Sequence, residues 1–190
     1  MQPFHAELWC EKDTISGAIA AVTDELGVTV RVGRGFNSTT RAREIAEALG
    51  NTKKPKVIFY LGDHDPSGRN AEEEGLSRVL THYRKITGKS KVNDIKLRRL
   101  AIHKDDIQKF NLPPLRVKET DSRTPGFVRK YGDECVELDA LPPNELRTRI
   151  RVAVTALLDQ AAWDRAIAVE KVELASIIET VSNWPSFRSA

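Results

Sequence analysis

Cysteine is scarce in this chain of 190 residues: Cys10 and Cys135 are the only two, each alone in an apolar stretch with no Cys-x-x-Cys pairing. That excludes a disulfide framework and a cysteine zinc cage, and fits reduced core thiols in a cytoplasmic protein. Long apolar runs are missing too. Nowhere do eighteen apolar residues follow one another, and Met1 to Glu11 has no basic segment leading into an apolar one, so neither a signal peptide nor a membrane contact is expected. Charge of one sign is also lacking. Thirty basic against 27 acidic residues leave a formal charge of +3, so any contact with nucleic acid must come from local sites rather than bulk charge. There is no internal repeat and no low-complexity tract. Trp9, Trp163 and Trp184 lie far apart without interleaved basic residues, which speaks for core packing over a stacking platform for single strands.

What is present suffices for one well-buried core, with 40% apolar and 30% charged residues. The first half alternates short apolar runs with amphipathic segments, the pattern of an α/β fold with a mostly parallel sheet. Strands are expected at Ala6 to Cys10, Val28 to Val32, Val57 to Leu61 and Ile95 to Ile102. The third is the clearest, a continuous Val-Ile-Phe-Tyr-Leu run. Helices are expected over Thr14 to Leu26, from Ser38 or Thr39 to Gly50, and from about Arg69 to Ile86. Further on the pattern predicts a short helix at Asp105 to Phe110, an extended connection from Leu112 to Asp121, and a short strand at Cys135 to Leu138. A helix then starts at Pro142-Pro143 with Leu146, Ile150, Val154, Leu157 and Ala161 along one side, and a last one covers Arg165 to Val181. Residues 1–160 thus read as an α/β domain, and 161–190 as a helical extension packed on it or used for association. The oligomeric state is not legible.

In open α/β sheets the functional crevice lies beyond the carboxyl ends of the strands. Glu11 follows the first strand there. Asp63 and Asp65 follow the third, in Gly62-Asp63-His64-Asp65-Pro66-Ser67-Gly68, where alternation points both aspartates one way and makes His64 a spacer. Three clustered carboxylates repel one another, and a divalent cation offsets that repulsion. An all-oxygen set favours Mg²⁺, or Mn²⁺, over zinc. The plainer alternative, aspartates that cap a helix or solvate a turn, stays open at this point.

Three ordered segments carry a resemblance: Cys10-Glu11-Lys12-Asp13-Thr14, Gly33-Arg34-Gly35-Phe36-Asn37-Ser38-Thr39-Thr40-Arg41, and the Asp-x-Asp-Pro-x-Gly run beginning at Asp63. Through them the chain resembles the Toprim half of topoisomerase VI A subunits and the related meiotic double-strand-break proteins. Weaker likeness continues at Asp106-Ile107, Asn111-Leu112-Pro113 and Glu137 to Leu141. The resemblance implies a Toprim, Rossmann-like sheet and Mg²⁺-dependent phosphodiester chemistry, cleavage or nicking of DNA. Glu11, Asp63 and Asp65 would be the catalytic metal ligands.

Lys12, Arg34 and Arg41 are then candidates for phosphate contact, the two arginines beside a glycine turn and a helix N-terminus. Lys118, Asp121 and Arg123 are weaker ones. Glu137 and Asp139 are expected to alternate on the final strand, near the crevice. The nucleophile is the missing part. In the resembled topoisomerases a tyrosine from a winged-helix domain attacks DNA, and no room for such a domain is read before the first strand. A partner protein would supply that tyrosine, or water would attack directly. A non-catalytic nucleic-acid or nucleotide binding module is the alternative. A haloacid-dehalogenase-type phosphatase ranks last, because Ser67 stands where that family has Thr or Val.

Overall fold

Residues with alternating or continuous apolar character form four parallel strands, and the computed structural model describes residues 2–33 and 38–184. β1 (His5–Cys10) lies between β2 (Thr29–Val32) and β3 (Lys56–Leu61), and β4 (Ile95–Ala101) flanks β3 on the other side. Every residue of β3 is buried, which explains its unbroken apolar run. Period-two alternation sends neighbouring residues to opposite layers. Leu8, Cys10, Phe59 and Leu61 join one core; Trp9, Ile58 and Tyr60 join the other. The first core is closed by α1 (Ser16–Glu25) and α6 (Pro143–Thr155) through Ile19, Val22, Leu146 and Ile150. The second is closed by α2 (Thr39–Gly50) and α3 (Pro66–Thr87) through Ile45, Leu49, Val79 and Tyr83. The result is an α/β fold with helices on both faces of a parallel sheet, compatible with a Rossmann-like class.

Several local expectations change. α3 begins at Pro66 and not near Arg69, because Asp65 caps it, its Oδ1 accepting from Gly68 N at 2.6 Å, with Pro66 in the first turn. After α4 (Lys104–Lys109), the connection expected to be merely extended contains β5 (Leu115–Arg116). A helix not expected at all, α5 (Thr124–Tyr131), follows it; it buries only Thr124 and Phe127, too little for a periodic signal. β6 (Glu134–Cys135) pairs antiparallel with β5, and the strand expected to reach Leu138 gives way to a 3-10 turn over Leu138–Ala140. Asp139 sits on that turn, so Glu137 and Asp139 do not alternate on a strand.

The apolar stripe expected to run from Leu146 to Ala161 is interrupted after Thr155, and α7 (Gln160–Ser182) starts anew with Asp159 capping Ala162 N at 2.9 Å. Within α7 only Ala162 is buried, while Ile167, Val172, Leu174, Ile177 and Val181 are exposed. Trp184 follows α7 and is 66% exposed, so core packing, correct for Trp9, fails for Trp184. Among the described residues no helix is long and apolar enough to cross a membrane.

Candidate functional site

The parallel ladders continue one residue past the strands and thereby fix the loops at their carboxyl ends. Glu11 N donates to Leu61 O at 2.9 Å, and Gly62 exchanges backbone bonds with Ala101 and Ile102 at 3.0 Å each. Glu11 and Asp63 are brought together in this way: Oε2 of Glu11 accepts from the Asp63 amide at 3.2 Å. Two glycines make room for the carboxylate. A Cβ on Gly62 would sit 2.9 Å from Glu11 Oε2, and one on Gly68 would sit 3.1 Å from it and 2.6 Å from Asp63 O.

Asp63 Oδ1 accepts from Leu138 N at 2.7 Å and lies 3.3 Å from Lys12 Nζ. Burial raises the pKa of both Glu11 and Asp63 above the ordinary carboxylate range, and the charge of Asp63 adds to the effect on Glu11. Asp65 contributes further repulsion to each. Two of the three acids thus share one cleft, of about 470 Å³, with Lys12 and Asp139. Asp65 lines a neighbouring cleft of about 330 Å³ with Lys118, Asp121, Arg123 and Glu137.

Each carboxylate commits one oxygen to the fold. The second oxygens, Glu11 Oε1, Asp63 Oδ2 and Asp65 Oδ2, accept no hydrogen bond among the described residues, and none is sealed from solvent. This all-oxygen donor chemistry suits a hard cation. As they stand, the described residues form no ready group of three His, Cys, Asp or Glu around one metal position.

Lys12 is held by carboxylates from three positions. Its Nζ reaches Asp139 at 2.8 Å, Glu137 at 3.0 Å and Asp63 at 3.3 Å. Burial would lower its pKa, but these acids outweigh burial and keep the ammonium firmly charged. Arg41 lies in the first turn of α2 on the surface and pairs with Glu44 at 3.1 Å, and it does not line the carboxylate cleft. Arg34 and Gly35 fall outside the described residues. Arg123 forms a two-point pair with Asp121 at 2.8 Å per contact.

His64 is fully buried. Its Nδ1 faces Arg69 Nη2 at 2.9 Å, and its ring lies 5.2 Å from Phe127 and 5.4 Å from Tyr131. Burial, then Arg69 and Arg99, push its pKa down to about 3, so it is neutral at pH 7. The side chain missed from the sequence is Arg99. It donates to the carbonyls of Gly62, Asp63 and Ile102 and pairs with Glu72 at 2.6 Å, locking the loop that carries both aspartates. Its signal was available: Ile95, Leu97 and Arg99 share one face of β4, and a charge on an apolar face requires a buried partner.

No protein-family model, no curated protein and no solved structure matches this chain.

Proposed function

We propose that the chain is a Toprim-type domain for Mg²⁺-dependent phosphodiester chemistry on nucleic acid, DNA in the first instance, with Mn²⁺ as a substitute. One observation carries this reading. Glu11 and Asp63, on adjacent strand ends, are both pushed toward protonation by burial, with repulsion from Asp63 and Asp65 added at Glu11 and from Asp65 at Asp63, while each keeps an oxygen open to solvent, and a cation would relieve that repulsion. Glu11, Asp63 and Asp65 would hold it, Asp65 through the oxygen not used in capping α3. The ion, when bound, supplies neutralisation of the charge that builds on a phosphodiester during in-line attack.

The chain's own residues account for the rest. Arg99 fixes the backbone of the Asp63 loop, Lys12 links it to Glu137 and Asp139, and the raised pKa of Glu11 suits it to carry a proton for an attacking or leaving oxygen. Among the described tyrosines, Tyr60 and Tyr83 are buried, and Tyr131 packs against His64 and Phe127. None is presented to the cleft, so the nucleophile is water or a tyrosine from a partner chain's winged-helix domain.

A second reading, a non-catalytic binding module, draws support from Lys12. Its ammonium already balances Asp63, and no three-ligand group is preformed among the described residues. Supercoiled plasmid incubated with Mg²⁺ or Mn²⁺ separates the two readings. Nicking that disappears in Glu11→Gln supports the enzyme with water as nucleophile; binding without cleavage by the wild type rules out attack by water and leaves the module or a tyrosine supplied by a partner.

A further inference from the structure

A second cleft, of about 500 Å³, opens where the strands begin, at the opposite end of the sheet from Glu11 and Asp63. Six residues of β3 separate the two ends, roughly 20 Å at the usual rise per residue. Phe4, Pro55 and Val57 form an apolar floor, and Phe4 is 38% exposed. Lys89, Lys91 and Lys96 stand around it.

The charge around this cleft is lopsided. Its one acid, Asp94, is shared between Lys56 at 3.1 Å and Lys89 at 2.6 Å. Lys91 and Lys96 have no carboxylate within ion-pair distance among the described residues. Lys53 and Lys54, on the segment that leads into β3, and Lys85, in the last turn of α3, are likewise without one among the described residues. Protection of an exposed edge strand accounts for Lys96 on β4, but not for lysines in the loops before β3 and β4.

We propose that this cleft binds single-stranded nucleic acid, with Lys91 and Lys96 neutralising phosphates and the ring of Phe4 stacking on a base. The concave shape and the aromatic floor favour an unpaired strand over a duplex, whose bases are already stacked. They also favour it over a lipid surface, which calls for a flat or convex basic face. Phe4 and Lys91 meet only in the fold, so a linear search for interleaved aromatic and basic residues passes over them. The site is independent of the carboxylate cleft and requires no metal.

The test is fluorescence anisotropy of labelled oligothymidylate and oligouridylate in EDTA, across a salt series. The wild type is expected to bind. Lys91→Gln with Lys96→Gln should reduce the slope of log affinity against log salt by about 1.4, at roughly 0.7 for each single-strand phosphate that is no longer neutralised. Phe4→Ala should weaken binding on the order of ten-fold, the usual worth of a base stacked on an aromatic ring. Phe4→Tyr should retain it. A preference for one oligonucleotide assigns DNA or RNA as the source. If Phe4→Ala fails to fold, the lysine variants on the surface decide alone. The proposal is overturned by no binding in EDTA, by affinities that ignore the lysine substitutions, by duplex binding as tightly as single strands, or by preference for phosphatidylserine vesicles.

Discussion

The amide of Asp63 donates to Oε2 of Glu11 at 3.2 Å, so a carboxylate after β1 is held by the residue that opens the loop after β3. This bond ties two strand ends together at the position where their acids repel. A carboxylate whose pKa is raised on folding binds its proton more tightly in the folded chain. Its ionised form therefore costs stability once the pH exceeds the unfolded value, and the penalty grows until the folded value is passed. Gln at position 11 keeps an oxygen for the Asp63 amide and removes the charge. Glu11→Gln is expected to melt at or above the wild-type temperature in EDTA, and to lose the rise that Mg²⁺ gives the wild type. A variant less stable than wild type in EDTA, with an unchanged response to Mg²⁺, would remove the basis for Glu11 as a metal ligand.

Asp65 is expected to separate two roles. Asn caps helices about as well as Asp, so Asp65→Asn should stay within about 0.5 kcal/mol of wild type, whereas Asp65→Ala should lose about 1 kcal/mol. Both should weaken Mg²⁺ binding in calorimetric titration, as should Asp63→Asn. Unchanged affinity in Asp65→Asn would reduce that residue to a cap.

The strand ends and their acids were legible in the sequence because buried strands and glycine-rich loops leave local signals. The neighbours of Asp63 were not. Lys12, Leu138 and Arg99 reach it from remote positions, and only the pairing of β3 with β1 and β4 and the return of the chain past His64 bring them in. Asp65 shows the limit from the other side. Its capping of α3 was the plainer alternative in the sequence, and the structure gives it that role.

Gly62 and Gly68 hold their positions by close approach, so adding one methyl should be costly. A Cβ at Gly62 meets Tyr60 Cε1 at 2.5 Å, and one at Gly68 meets the backbone of Asp63 at 2.6 Å. Overpacking of this kind costs about 1–3 kcal/mol. Gly126, inside α5, has nothing within 4 Å, so Gly126→Ala should stabilise by about 0.4–1 kcal/mol. Urea denaturation of the three variants checks the order, and a Gly68→Ala as stable as Gly126→Ala would show that the loop is not packed as described.

Ile150 and Val172 test how far the core extends. Ile150 on α6 is fully buried and Val172 on α7 is 70% exposed. Ile150→Ala should cost about 2–5 kcal/mol, and Val172→Ala should change stability by less than about 0.5 kcal/mol. Comparable losses in the two variants would mean that α7 is covered in solution.

Glu7 supplies the acid limb of the stability profile. It is buried on β1 and receives two hydrogen bonds from Arg31, at 2.8 and 2.7 Å, and one from Trp9 at 2.9 Å; His5 lies 3.4 Å away. Burial alone would raise its pKa, but these partners, Arg31 above all, outweigh burial and pull it down to about 2 from 4.5. A depressed carboxylate adds stability above its unfolded pKa and loses it as the pH falls toward the folded value, so the window runs from about 4.5 down to about 2. The stake is on the order of 3 kcal/mol at 1.36 kcal/mol per pH unit. Melting temperatures should decline across that window in the wild type and decline less in Glu7→Gln, which is less stable at pH 7 because Arg31 loses its counter-charge. Parallel pH profiles for the two proteins would show that the Glu7–Arg31 pair does not set the acid limit.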